Sequence, residues 1–241
     1  MTHPSQIRPL GAEVPGWHAP KRPAADLVLE GRYVRLVPLR ADTHAALLFA
    51  AFDGHDDIWD YLPYGPFSSA AFYHRWVRDA AGKADPLFLA IYDKDQERWG
   101  GVASYLRITP EAGSIEVGHI AMAPLLQRTR AATEAMALMM AHAFEAGYRR
   151  YEWKCDALNL ASRRAAQRLG LSYEGVFRQA GVVKGRNRDT AWFGAIDSEW
   201  PALSEAFRVW LDPGNFDDRG RQIERLRDLT ALVRASSDPA L

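Results

Sequence analysis

One apolar run constrains this chain more than any other stretch. Between Ala131 and Phe144 there is no Gly or Pro, and Ala131, Ala132, Ala135, Met136, Leu138, Met139, Met140, Ala143 and Phe144 spread around most of a helix circumference. Such a helix has to be buried on more than one side. Gly147 ends it. Ahead of it, Ile115 to Met122 reads as a strand and Pro124 as a breaker, which gives strand, turn, helix.

Arg128 and Arg130 fall at that turn and at the first helical position. Cations are unfavourable there because the macrodipole is positive and the leading amides lack partners. A bound anion would reverse the sign, since amides, dipole and guanidinium forks would converge on one phosphate. The alternative leaves both arginines in solvent with Thr129 as a simple cap.

The segment Gln127-x-x-Arg130-x-Ala132 resembles the acetyl-coenzyme A (acetyl-CoA) binding segment of the GNAT N-acetyltransferases, Gln/Arg-x-x-Gly-x-Gly/Ala. The resemblance implies coenzyme contacts at Gln127, Arg128, Thr129, Arg130, Ala131, Ala132 and Thr133. Arg130 stands where the family usually has Gly, a position of close backbone approach, so it either disturbs the phosphate cradle or serves as a charged clamp.

With 241 residues and 48% hydrophobic content, the chain is long enough for one large domain with a substantial core. Thirty basic and thirty acidic residues cancel, and no Lys/Arg stripe with interleaved aromatics argues for a nucleic acid. No stretch approaches the roughly 20 apolar residues that span a bilayer. The only cysteine, Cys155, has no partner for an internal disulfide, and no signal-peptide pattern opens the chain. A soluble protein of the reducing cytoplasm is expected. No His, Cys or carboxylate spacing suggests a metal site.

Residues 1–26 are Pro-rich and read as an extended arm, pinned by Val14 and Trp17 or disordered. From Leu27 to Leu39 the alternation predicts a first strand pair or one bent strand. A helix starting at Asp42 or Thr43 follows, then a loop mixing acids and aromatics. Within it, Asp56, Asp57, Trp59 and Tyr61 suit a cationic amine, by charge and cation–π contact, or else cover the core and cap a short helix. A second helix over 69–81 places Phe72, Trp76 and Ala80 on one side. Two antiparallel strands, 86–92 and 99–108, precede the strand 114–122. There, Glu116, Gly118, Ile120 and Met122 share one face and Ile115, Val117, His119 and Ala121 the other, with Gly118 signalling a bulge or a close neighbour. Strand 151–155, a helix opened by Asn159, closing strands 171–177 and 189–196, and two C-terminal helices complete the chain, the last with Ile223, Leu226, Leu229, Leu232 and Val233 on its apolar side.

This order of elements, with Asn159-x-x-Ser162, Leu169-Gly170-Leu171 and Glu174-Gly175, is similar to the GNAT branch that acetylates protein N-termini, the ribosomal-protein alanine acetyltransferase type. The resemblance covers 27–200, leaving 201–241 as a helical extension. It implies an α/β (α+β) fold: a mixed, mostly antiparallel central sheet flanked by helices. It also implies that strand 114–122 splays from the next strand, so that the pantetheine arm pairs with Ala121, Met122 and Ala123, and that Asn159 contacts the coenzyme besides capping. Many members protonate the leaving thiolate with a tyrosine; that position is Ala166 here, and Ser162 either hydrogen-bonds the thiolate instead or is an ordinary first-turn serine.

Direct acetyl transfer needs a deprotonated amine, a polarised carbonyl and a proton for sulfur. Glu116 is the candidate base, with an arginine ion pair as the competing role; His119 points away, and Cys155 reads as structural. The expectation is an acetyl-CoA-dependent N-acetyltransferase acting on a protein N-terminus or a small amine. The alternative is a silent acyl-CoA-binding module on the same scaffold, suggested by Arg130 and Ala166. The terminal extensions are compatible with a homodimer.

Overall fold

The structure, a computed structural model, describes residues 10–241; residues 1–9 of the expected arm lie outside it. The strands are β1 (Leu29–Glu30), β2 (Val34–Pro38), β3 (Leu87–Asp93), β4 (Arg98–Thr109), β5 (Ser114–Met122), β6 (Arg150–Asp156), β7 (Ser172–Val183) and β8 (Arg186–Ile196). They form one eight-stranded sheet in the order β1-β2-β3-β4-β5-β6-β8-β7. Every pairing is antiparallel except β5 with β6. A parallel pair needs a crossover, and the apolar helix α3 (Arg130–Glu145) supplies it.

The mostly antiparallel sheet with helices on both faces is the architecture the sequence predicts. On one face α3 packs against Leu36, Leu89, Tyr105, Ile115 and Val117, while α5 (Trp200–Leu211) covers its far side with Phe207 and Trp210. Phe144 stacks on Trp200 with ring centroids 5.3 Å apart, so α3 is enclosed on two sides. On the other face α1 (Ala41–Phe52) and α2 (Ala70–Ala80) build a second core from Ala45, Leu48, Phe52, Tyr73 and Val77 over Phe88, Val102 and Ala121. Among the described residues no helix is long and apolar enough to cross a membrane.

Several elements differ from expectation for identifiable reasons. Helix α1 begins at Ala41, ahead of Asp42, because His44 Nδ1 accepts the Arg40 N–H at 2.9 Å in place of a side-chain cap. Helix α2 buries Tyr73, Val77 and Ala80 and leaves Phe72 exposed, a rotation that brings the larger tyrosine ring into the aromatic core. Strand β7 runs on to Val183, and Lys184 and Gly185, at φ 49° and 74°, close a two-residue hairpin with both central residues left-handed. The last helix is only α6 (Leu226–Ala231): Leu226 and Thr230 are buried, Leu229 and Val233 pack against the core in part, and Leu232 is 88% exposed.

A buried carboxylate ties the sheet edge to α3. Glu134 accepts the backbone N–H groups of Arg32 at 2.9 Å, Tyr33 at 2.6 Å and Val34 at 3.0 Å, holding the β1–β2 turn. Gly31 is required beside it, since a Cβ there would lie 2.5 Å from the Glu134 carboxyl carbon. Gly31→Ala is therefore expected to cost about 2 kcal/mol by overpacking. The check is urea unfolding, where the midpoint should fall at an unchanged slope; an unchanged midpoint would contradict the assignment.

Candidate active site

Strands β5 and β6 pair from Ser114↔Arg150 to Val117↔Trp153 and then part. Beyond that point Lys154, Cys155 and Asp156 pair only with β8. The separation starts at a bulge. Between the pairs Ser104↔Gly118 and Val102↔Ala121, His119 and Ile120 both lie opposite Ala103, and His119 adopts a left-handed φ of 51°. Such an insertion bends the strand and increases its twist. Gly118 next to it is tightly enclosed: an added Cβ would sit 2.9 Å from Leu106 Cδ2.

The bulge also swaps faces, which corrects the two-residue alternation assumed for this strand. Ile120 and Met122 pack with Ile115 and Val117 on the α3 side, whereas Ala121 and Ala123 join the α1/α2 side. His119 sits on that second side too, against Tyr64 and Phe88, so it shares a face with Glu116. Tyr64 Oη is 3.1 Å from His119 Nδ1. Burial, with Arg107 and Arg188 nearby, lowers the imidazole pKa to about 4, so the ring is neutral near pH 7. Burial raises the Tyr64 phenol. Both groups are therefore neutral and share one proton between them, the donor being set by the imidazole tautomer.

At the end of β5, Ala123 N–H donates to the Gly100 carbonyl at 2.8 Å. Strand alternation then turns the N–H and C=O of Met122 away from β4, toward the gap. Gln127 Nε2 donates to that carbonyl at 2.9 Å, leaving the Met122 N–H as the group facing the gap. In the following turn Thr129 Oγ1 caps α3 by accepting Ala132 N–H at 3.0 Å. Among the described residues the amides of Arg128, Arg130 and Ala131 have no protein partner, and Arg128 has φ 64°. This is a helix start with free donors and a positive dipole end. Ala132 and Thr133 are buried in the first turn, where Thr133 Oγ1 accepts from Arg168 Nη1 at 3.1 Å.

Arg130 is not brought to that start by its side chain. Its guanidinium lies 3.2 Å from Asp95 and over the rings of Tyr33 and Phe216, at 4.6 and 5.1 Å. It joins α3 to the β3–β4 turn and to the C-terminal segment, while Arg128 stays exposed.

Across the gap, Asn159 Oδ1 accepts the Ser162 N–H at 3.0 Å and caps α4 (Leu160–Arg168). Ser162 Oγ accepts from Trp153 Nε1 at 2.9 Å, so its own hydroxyl proton is directed elsewhere, with Cys155 as a neighbour. Burial pushes the neighbouring Cys155 thiol up to about 11 against the hydrogen bond from Ser162, which keeps it a thiol. Ala166 is fully buried and has no polar atom to offer. Glu116, 2% exposed, is held between Arg107 Nη1 at 2.6 Å and Lys154 Nζ at 2.8 Å. The Lys154 contact is close but off line, so Oε2 makes no hydrogen bond.

The expected amine-binding residues divide. Asp56 and Asp57 are exposed on the 3-10 helix Asp56–Trp59. Trp59 is 3% exposed, locked among Phe52, Phe67 and Tyr73, so it packs the second core and lines no open wall of the gap. Tyr61 is partly exposed, and its hydroxyl donates to the Leu158 carbonyl at 3.4 Å. A further contact appears here: Lys184, at the hairpin tip, donates to the Trp59 carbonyl at 2.7 Å and carries the β7–β8 hairpin across from the β6 side to the β5 side. Sequence reasoning put His119 on the wrong face and missed Tyr64 and Lys184. The signal for His119 was Gly118, whose bulge shifts every later residue by one.

Residues 34–172 match the family model described as an acetyltransferase (GNAT) domain. The fold is similar to the crystal structure of a GCN5-related N-acetyltransferase from Brucella melitensis, 45% identical, covering 90% of this chain and 100% of that one with a TM-score of 0.88. A GNAT-family protein from Chromobacterium violaceum is 42% identical over 81% of this chain and 98% of its own, with a TM-score of 0.76. The microcin C7 self-immunity acetyltransferase, solved with acetyl-CoA and AMP, shares the fold at 18% identity and a TM-score of 0.62, over 69% of this chain and 93% of its own. No curated protein matches. The chain belongs to the GNAT acetyltransferase family. It is an acetyltransferase enzyme.

Two expectations follow from the geometry. Arg130→Ala should lower stability by about 1 kcal/mol through the lost cation–π contacts, while the acetyl-CoA Kd from calorimetry is expected to stay within about twofold, since the free donors at the helix start are backbone amides. A large Kd increase would restore the guanidinium to the coenzyme site. His119 has a folded pKa near 4 against 6.5, so the unfolded chain binds the extra proton first. Its contribution to stability is complete above pH 6.5 and is lost as pH falls toward 4. Urea midpoints across that window should fall less steeply for His119→Gln than for the wild type.

Proposed function

We propose that the protein moves an acetyl group from acetyl-CoA directly to a primary amine, either a protein N-terminus or a small amine. The observation that carries this reading is the parted β5–β6 edge next to a helix start with free amides. The diphosphate lies against the amides of Arg128, Arg130 and Ala131, with Gln127 and Thr129 fixing the turn. The pantetheine arm runs along Ala121, Met122 and Ala123, and the Met122 N–H polarises the thioester carbonyl. Asn159 caps with its oxygen, which leaves its amide nitrogen for the coenzyme.

The amine approaches from the face that carries Glu116, His119 and Tyr64, beneath the hairpin tip anchored by Lys184. That crossing favours a slender acceptor. Asp56 and Asp57 draw a cation toward the opening, and Tyr61 borders it. Glu116, ion-paired to Arg107 and Lys154, is the carboxylate on this face that receives the ammonium proton, directly or through water. The amine nitrogen attacks the carbonyl carbon, the carbon–sulfur bond breaks, and the departing thiolate, held by a hydrogen bond from the Ser162 hydroxyl, takes up the proton that the nitrogen releases on becoming an amide.

The second reading, a silent acyl-CoA-binding module, is favoured only by Ala166 in place of a hydroxyl-bearing residue. Thiol release from acetyl-CoA, followed with a panel of amines, separates the two. The transferase reading expects turnover with at least one amine and a drop in kcat of about a hundredfold for Ser162→Ala at little changed acetyl-CoA KM. Binding of acetyl-CoA without turnover across the panel would favour the module.

A further inference from the structure

Beyond α6 the chain doubles back over α4 and the start of β7. Ala235 N–H donates to Ser172 Oγ at 2.9 Å, and Tyr173 N–H to the Ser236 carbonyl at 3.4 Å. Asp238 then docks on α4. Its N–H donates to Gln167 Oε1 at 2.7 Å, and its carboxylate accepts Arg163 Nε at 2.7 Å and Nη2 at 2.6 Å. The Asp238 side chain is 0% exposed and that of Arg163 8%. The remaining terminal nitrogen of the same guanidinium, Nη1, donates to the Ala157 carbonyl at 2.7 Å. Ala157 lies in the β6–α4 loop, with its own N–H held by the Asp189 carbonyl at 2.8 Å. Asn159 follows two residues later, and Ser162 directly precedes Arg163.

We propose that Asp238 is a positioning residue for acetyl transfer: through Arg163 it sets the β6–α4 loop, and with it the placement of Asn159 and Ser162 against the thioester. The inference rests on the acetyl-transfer reading above. Attachment of the C-terminal segment does not require this pair. Leu226 is buried in the main core and Thr230 Oγ1 donates to the Arg168 carbonyl at 3.1 Å, so α6 is already fastened to the other end of α4. A buried ion pair adds little net adhesion, because desolvation offsets the attraction and an apolar pair of similar volume often serves as well or better. What the pair provides is geometry. A planar fork bound on two edges fixes both angle and distance, and a misplacement of roughly 1 Å at a reacting group can cost about a hundredfold in rate. The contact is made on the first two turns of α4, where Asn159 and Ser162 sit.

Arg163→Lys tests this in the full-length protein. The ammonium keeps Asp238 paired, so the fold is retained, but it cannot span both the carboxylate and the Ala157 carbonyl as the fork does. The expected result is a kcat lower by about tenfold and an acetyl-CoA KM higher by several-fold, at a Tm within a few degrees of wild type. The double variant Arg163→Met with Asp238→Leu should be at least as stable as wild type and yet slower by about tenfold or more. A folded Arg163→Lys protein with wild-type kcat and KM, or losses that vanish once rates are normalised to the folded fraction, would overturn the proposal. If the wild type itself releases no thiol with any amine, the transferase reading fails. Calorimetric acetyl-CoA affinity then decides the positioning role separately: weaker binding by Arg163→Lys supports it, and unchanged binding overturns it.

Discussion

The parallel pairing between β5 and β6 ends after Val117↔Trp153, and the rest of the site depends on where it ends. A longer ladder would close the gap and satisfy the Met122 amide within the sheet. A shorter one would loosen α3 from the strands it connects. The cause is local: two β5 residues opposite one on β4, with His119 taking the left-handed turn and Gly118 packed closely against Leu106. Since β6 keeps its antiparallel partner β8 along its whole length, the strands separate without unravelling either half of the sheet.

Around that gap the groups arrive from separate parts of the chain. The bulge delivers Met122 and His119, the capped start of α3 delivers free amides, and α4 delivers Asn159 and Ser162. Each is held by a contact outside the gap. Gln127 fastens the turn to β5, Glu134 fastens α3 to the sheet edge, and Asp238 fastens α4 to the end of the chain. Burying charges such as Glu134 and Asp238 is costly unless each is fully hydrogen-bonded. Glu134 meets that condition with backbone amides and Asp238 with Arg163 and its neighbours. The C-terminal segment 201–241, set apart by sequence, packs into the same core through Leu203, Phe207, Trp210 and Leu226.

The fold was legible where burial follows a simple period. The apolar circumference of 131–144 implied a helix enclosed on two sides, and Gly147 and Gly170 marked helix ends that the structure keeps, both at φ 94°. The site was legible in its backbone and less so in its side chains. Thr129 as a cap and Asn159 as a cap follow from residue type at a helix start. The direction of Arg130 does not, because its partners Asp95, Tyr33 and Phe216 are distant in sequence and meet only after folding. The side of His119 could not be read by counting alternate residues, since one inserted residue reverses the count. Arg163 with Asp238 spans 75 positions and leaves no periodic trace.

The central claim is that the gap and the α3 start together receive acetyl-CoA, and backbone amide NMR during titration with acetyl-CoA measures it most directly. The account predicts saturable shifts concentrated at the amides of Arg128, Arg130, Ala131 and Met122, with smaller ones at Asn159 and Ser162. Saturation of the protein by acetyl-CoA with those amides unmoved, and the shifts clustered elsewhere, would contradict it.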